Sequence, residues 1–77
     1  MKKIINKLIE EYKEKGYEVI IVEDKELSIL FNIKVIINNQ EYIEDVEVLK
    51  ESITEDFLRY NFNYLIHNSL NRYLMRW

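Results

Sequence analysis

Carboxylates are the residues of this chain that come closest to a chemical pattern. From position 41 to position 56 there are seven, Glu41, Glu44, Asp45, Glu47, Glu51, Glu55 and Asp56, against one base, Lys50. Paired acids do glycosidase chemistry only where a cleft holds them around a scissile bond. A chain of 77 residues has little material for a cleft. Other chemistry-bearing types are sparse. His67 is the one histidine, and there is no Cys. That excludes thiolate metal sites, disulfides and cysteine nucleophiles. One His cannot build a zinc site, and no EF-hand spacing occurs. Ser28, Ser52 and Ser69 lack the base and orienting group that a nucleophile needs. A single Gly leaves no phosphate-cradling loop. The residues predict no catalytic site, no metal, no cofactor and no small-molecule substrate.

The acids have two readings. One is a solvated sheet edge running into a helix N-terminus, where Glu55 and Asp56 suit the dipole. The other is a negative surface for a basic partner. Carboxylates alternating along a strand can stand in for phosphates at an Arg- and Lys-lined site. The net charge of −3 conceals how concentrated they are. Residues 1–16 carry net +2, residues 17–56 net −8, and residues 57–77 net +3 with no acid.

The elements that must carry these residues follow from periodicity. Ile4, Ile5, Leu8, Ile9 and Tyr12 form one apolar helical face, and Gly16 supplies the stop. Tyr17, Val19 and Ile21 share a face of a first strand; Leu27, Ile29, Phe31, Ile33, Val35 and Ile37 share a face of a long second one. Glu23–Glu26 is a polar turn, and Asn38-Asn39 a tight hairpin. A third strand, about 41–48, puts Tyr42, Val46 and Val48 toward the core and Ile43, Asp45 and Glu47 on its other face. Ser52-Ile53-Thr54-Glu55 fits a capping box. A helix follows almost to Trp77, with a main apolar face of Leu58, Phe62, Leu65, Ile66, Leu70, Tyr73 and Leu74.

A second stripe, Ile53, Phe57, Tyr60 and Tyr64, lies nearly opposite. One small sheet cannot bury both sides of a straight helix. A break near Asn61–Asn63 or Asn68–Asn71 is expected, Asn being a poor helix former. The alternative is a stripe kept for a partner. The predicted fold is α+β over one domain, 1–77: helix, three-stranded antiparallel sheet, then a helix split in two. With 48% apolar residues a small core is feasible. No run reaches the ~20 residues that span a bilayer, so a cytoplasmic domain with no membrane contact is expected.

The order and spacing of Ile4–Tyr12, Gly16-Tyr17-Glu18-Val19, Ile33–Asn39, Gln40-Glu41-Tyr42-Ile43 and Glu51-Ser52-Ile53-Thr54-Glu55-Asp56-Phe57 resembles the small phage anti-CRISPR proteins of the type II-A class. The resemblance covers roughly residues 4–60. It implies a DNA mimic that blocks the PAM-reading site of an RNA-guided effector nuclease, a site read by Arg side chains. Glu41 matches the acid after the family's hairpin turn; Glu44, Asp45, Glu47 and Glu51 fall in its acidic stretch. The chain departs from the family at Gly16, at Asn38-Asn39 and in its basic end, Asn71 to Trp77. The AT-rich codons behind its abundant Ile, Asn, Lys, Glu and Tyr suggest an AT-rich bacterium or its phage as the source.

The element order also resembles the double-stranded-RNA-binding domain. That family begins its second helix with a Lys-rich phosphate clamp, and Thr54-Glu55-Asp56 has the opposite sign. Direct nucleic-acid binding is therefore not expected. The expected partner surface is Glu41, Glu44, Asp45, Glu47 and Glu51, with Tyr60 and Tyr64 as aromatic anchors. Tyr73, Arg76 and Trp77 are further anchor candidates, core packing being the stronger reading for Tyr73. The expected mode is an inhibitor, monomeric or weakly dimeric, seated in the basic groove of a CRISPR effector nuclease. The competing expectation is an adaptor or self-associating domain that uses the Phe57–Tyr64 stripe or an exposed β-edge.

Overall fold

The structure is a computed structural model and describes residues 1–75. Helix α1 spans Lys2–Glu14, followed by strands β1 (Glu18–Asp24), β2 (Ser28–Ile37) and β3 (Gln40–Leu49). A 3₁₀ turn, Lys50–Ser52, leads into helix α2, Glu55–Leu74. The strands form one antiparallel sheet in the order β1-β2-β3. Both helices lie on the same face, α1 against β1 and α2 against β2 and β3. The α+β arrangement is the one the sequence predicts.

Local chemistry sets the joints. Gly16 has φ +95°, a conformation that favours glycine. It closes α1 in a Schellman motif: Gly16 N–H donates to the Lys13 carbonyl and Tyr17 N–H to that of Tyr12. The apolar contact that accompanies this motif is the edge-on Tyr12–Tyr17 pair. Asn38 and Asn39 have φ of 53° and 67°, the twin left-handed residues of a two-residue hairpin.

The α2 start differs from the predicted capping box. Thr54, rather than Ser52, is the N-cap, and its hydroxyl accepts from the Phe57 N–H at 3.1 Å. Ser52 belongs to the 3₁₀ turn.

The core lies between sheet and helices. Tyr12, Phe31 and Phe62 are fully buried at its centre, their rings meeting edge to face at 5.3–5.4 Å. Leu8, Ile29, Ile33, Val35, Leu58, Leu65 and Ile66 surround them. Some expected core positions lie outside it. Leu27 is 73% exposed because it falls in the β1–β2 turn. Ile21 is 42% exposed, beside an irregularity that leaves Val22 without a partner on β2. Leu70 and Leu74 are exposed where α2 runs past the core.

The expected break in α2 does not occur. The helix is continuous for 20 residues. An Asn costs at most about 0.7 kcal/mol against Ala in a helix. Burying Phe62, Leu65 and Ile66 returns roughly 1.5–3 kcal/mol each. The two central asparagines are also occupied: Asn61 Nδ2 donates to the Phe57 carbonyl, and Asn63 Oδ1 accepts from the Tyr12 hydroxyl at 2.6 Å. Continuity leaves the second stripe outside, with Tyr60 67% and Tyr64 57% exposed.

Candidate functional site

Alternation along β3 divides its acids between the two faces of the sheet. Gln40, Tyr42, Glu44, Val46 and Val48 face the helices; Glu41, Ile43, Asp45, Glu47 and Leu49 face away. No helix covers that second face among the described residues. The five acids predicted as one surface are therefore not one surface.

Three of them, Glu41, Asp45 and Glu47, form a row on the bare face. Glu41 lies 3.7 Å from Lys34 Nζ, which reaches Glu18 on the far strand at 3.4 Å. Hydrogen bonding to Glu18, then the charge of Glu41, pushes the Lys34 ammonium up. Asp45 stands opposite Asn32 and accepts from its Nδ2 at 2.9 Å. Glu47 accepts from Ser28 Oγ at 2.6 Å and from Lys25 Nζ at 3.3 Å. The Ser28 hydroxyl first, and Lys25 second, hold the Glu47 carboxyl below its usual range. Each carboxylate of the row is thus steered by a neighbour from β2 or from the β1–β2 turn.

The other two depart from the expectation. Glu44 lies on the helix-covered face and pairs with Arg72 of α2 at 2.9 Å. The Arg72 guanidinium also sits 5.4 Å from the Tyr42 ring centroid. This end of α2 is held to β3 by charge, so Glu44 is a structural residue. Glu51 is exposed in the 3₁₀ turn, with no ion pair among the described residues. Its distance along the chain from the row leaves it a separate charge at the start of α2.

Tyr60 and Tyr64 belong to another surface, the outer side of α2. Tyr73 is half-buried, packs edge-on to Tyr42 and accepts from Asn38 Nδ2 at 3.4 Å. That agrees with the packing role. Arg76 and Trp77 lie outside the described residues.

Sequence reading missed a charged cluster between the helices. Arg59 reaches Glu11 of α1 with two nitrogens, at 3.0 and 3.2 Å, and Glu55 at 3.0 Å. Lys7 closes the set against Glu55 at 2.6 Å. Hydrogen bonding to Arg59 lowers the Glu11 carboxyl; Lys7 and then Arg59 lower Glu55. Glu55 and Arg59 stand at i and i+4 on α2, but nothing local in the sequence joins them to Lys7 and Glu11 of α1.

No group of three or more metal-ligating side chains occurs among the described residues. His67 is exposed on α2, and Ser28 is committed to Glu47. An open groove of about 400 Å³ where α1 meets β1 has Lys34 and Glu18 in its lining, already paired with each other. No helix among the described residues is long and apolar enough to cross a membrane.

The fold and surfaces define a small α+β domain with one bare, charged sheet face and one bare, aromatic helix face. No protein-family model, curated protein or solved structure matches the chain.

Proposed function

We propose that this protein is a phage-type inhibitor that binds a nucleic-acid-handling defence protein and blocks its nucleic-acid site. The observation that carries this reading is the row Glu41, Asp45, Glu47 on a bare sheet face. Along β3, Asp45 stands about 6.8 Å from Glu47 and about 13.6 Å from Glu41, with Ile43 between, two and four times the 3.4 Å axial spacing of phosphates on one DNA strand. A basic groove would meet charges at a repeat it is built to bind. Arg side chains take carboxylates and phosphates with the same bidentate geometry. The field of a segment with net charge −8 would also speed the encounter.

The lysines beside the row do not oppose this role. Exposed ion pairs are weak and screened by salt, so a partner's arginine replaces them at little cost. Before binding, Lys25, Lys34, Ser28 and Asn32 hold the carboxylates in place. The resemblance to type II-A anti-CRISPR proteins makes the PAM-reading site of a CRISPR effector nuclease the specific target of this proposal.

The test uses a purified type II-A effector loaded with its guide and a labelled target duplex. Wild-type protein should compete with the duplex, and raised salt should weaken it. The triple change Glu41→Gln, Asp45→Asn, Glu47→Gln should lower competition at least tenfold. Inhibition unchanged in that variant would end the mimicry reading.

A further inference from the structure

Strand β3 lies at an edge of the sheet, with β2 as its one neighbour. Its register with β2 runs unbroken from Gln40 to Leu49. The opposite edge, β1, is interrupted where Val22 has no partner. Antiparallel pairing alternates, so the backbone groups of β3 point by turns at β2 and away from it. Two observations fix which do which. Lys50 N–H donates to the Leu27 carbonyl at 2.9 Å. The two-residue hairpin at Asn38-Asn39 closes on the pair Ile37 and Gln40. Even-numbered residues of β3 therefore bond to β2. The N–H and C=O groups of Glu41, Ile43, Asp45 and Glu47 point outward, and among the described residues no other element bonds to them. The residues of the acidic row are thus the residues that present the open backbone of the edge.

We propose that the partner docks here by adding a strand: an extended protein segment with Lys or Arg at alternate positions pairs antiparallel with β3. This rests on the reading of the row as the partner-binding site and supplies the form of the partner. Outward N–H and C=O groups at strand spacing are matched by the backbone of another strand. Antiparallel pairing is the more stable kind, and it sets opposed residues on the same face about 5.5 Å apart. Each acid of the row then meets one side chain of the partner.

Charge chooses that side chain. Lys34 is shared by Glu18 and Glu41, and Lys25 by Glu23 and Glu47. Asp45 is met by the neutral Asn32. Acid therefore remains in excess after every internal pair is made. The same charges act against a second copy. Two β3 strands paired about a two-fold axis set Asp45 against Asp45, Glu41 against Glu47 or Asp45 against Glu47, according to register. Like charges directly opposite are destabilising.

The probe is a labelled nine-residue peptide that runs antiparallel to β3 over positions 48 to 40. Lysine is second, fourth and eighth, opposite Glu47, Asp45 and Glu41; valine is sixth, opposite Ile43; threonine fills the rest. Fluorescence anisotropy with the intact chain should show binding that weakens with salt. Methylating the backbone nitrogens of the second and fourth residues, which face β3, should lower affinity about tenfold or more. Methylating the third and fifth, which face away, should lower it by no more than about threefold. Glutamate in place of the lysines should abolish binding. In the complex, amide hydrogen exchange should slow at Ile43, Asp45 and Glu47, while Glu44 and Val46 are protected already in the free chain. Binding indifferent to which nitrogens are methylated, or protection gained elsewhere, would overturn strand addition. So would protection of the same amides in the free chain at rising concentration, which would make a second copy the occupant. If the peptide does not bind while the acidic row still competes with the target duplex, the row acts through side chains alone and strand addition is wrong. If competition fails as well, the row is not the partner site and the inference falls with that reading.

Discussion

The sheet has a covered side and a bare side, built from the same three strands by alternate residues. On the covered side Ile29, Phe31, Ile33 and Val35 are at most 2% exposed. On the bare side Ile20, Ile36 and Ile43 are about half exposed, among Glu18, Lys34, Glu41 and Asp45. The covered side is held by packing and tolerates little change. The bare side is held by side-chain pairs that water already solvates. A surface of the second kind can exchange its partners, which is what a binding face requires.

The largest expected effect breaks the covered side. Phe62 is 1% exposed and touches both Tyr12 and Phe31. Phe62→Ala should cost about 3–5 kcal/mol, enough to unfold a domain this small at ordinary temperatures. Tyr64, two residues on, is 57% exposed. Tyr64→Ala should change stability by less than about 0.5 kcal/mol. Urea denaturation of the two variants measures both. Comparable losses would mean that the stripe is packed after all.

The helix start comes next. Thr54→Ala removes the hydroxyl that accepts from Phe57 N–H and should cost about 1 kcal/mol. Ser52→Ala, at the position where the capping-box pattern puts the cap, should cost clearly less. Thermal melts distinguish them; the reverse order would restore the sequence-based cap.

These pairs show what could be read without coordinates. Periodicity two located the covered side of β2 and β3, and periodicity 3.6 located α1, because burial on one face leaves a repeating trace. Gly16 and Asn38-Asn39 marked their turns, because few residues adopt positive φ at low cost. The continuity of α2 was not legible, since it depends on Phe62, Leu65 and Ile66 reaching the core and on Tyr12 finding Asn63 across the fold. The candidate site was half legible. The acids were visible as a count, but Glu44 differs from Glu41, Asp45 and Glu47 only by strand parity and by the arrival of Arg72 from 28 positions away. The Glu11–Arg59 clamp was invisible for the same reason: a pair 48 positions apart has no local signature.

The smallest expected effect separates structural charge from available charge, by titration. Glu11 and Glu55 between the helices, and Glu47 on the bare face, all have carboxyls held below the usual range. A depressed folded-state value favours the native state once pH exceeds the unfolded value, about 4.3 for Glu. That contribution is lost as pH falls through the folded value. Arg59→Met removes the largest cause at Glu11 and the second at Glu55. Its stability deficit against wild type should be full at neutral pH and should close as pH falls below about 4.3. Lys25→Met removes the second and third causes at Glu47 and leaves the largest, the Ser28 hydroxyl. Its deficit should close over the same window and be smaller throughout. Urea titrations from neutral pH into acid compare the two directly. If Lys25→Met cost as much as Arg59→Met, the bare-face pairs would be structural like the clamp. The row Glu41, Asp45, Glu47 would then no longer be free to trade its lysines for a partner's arginines.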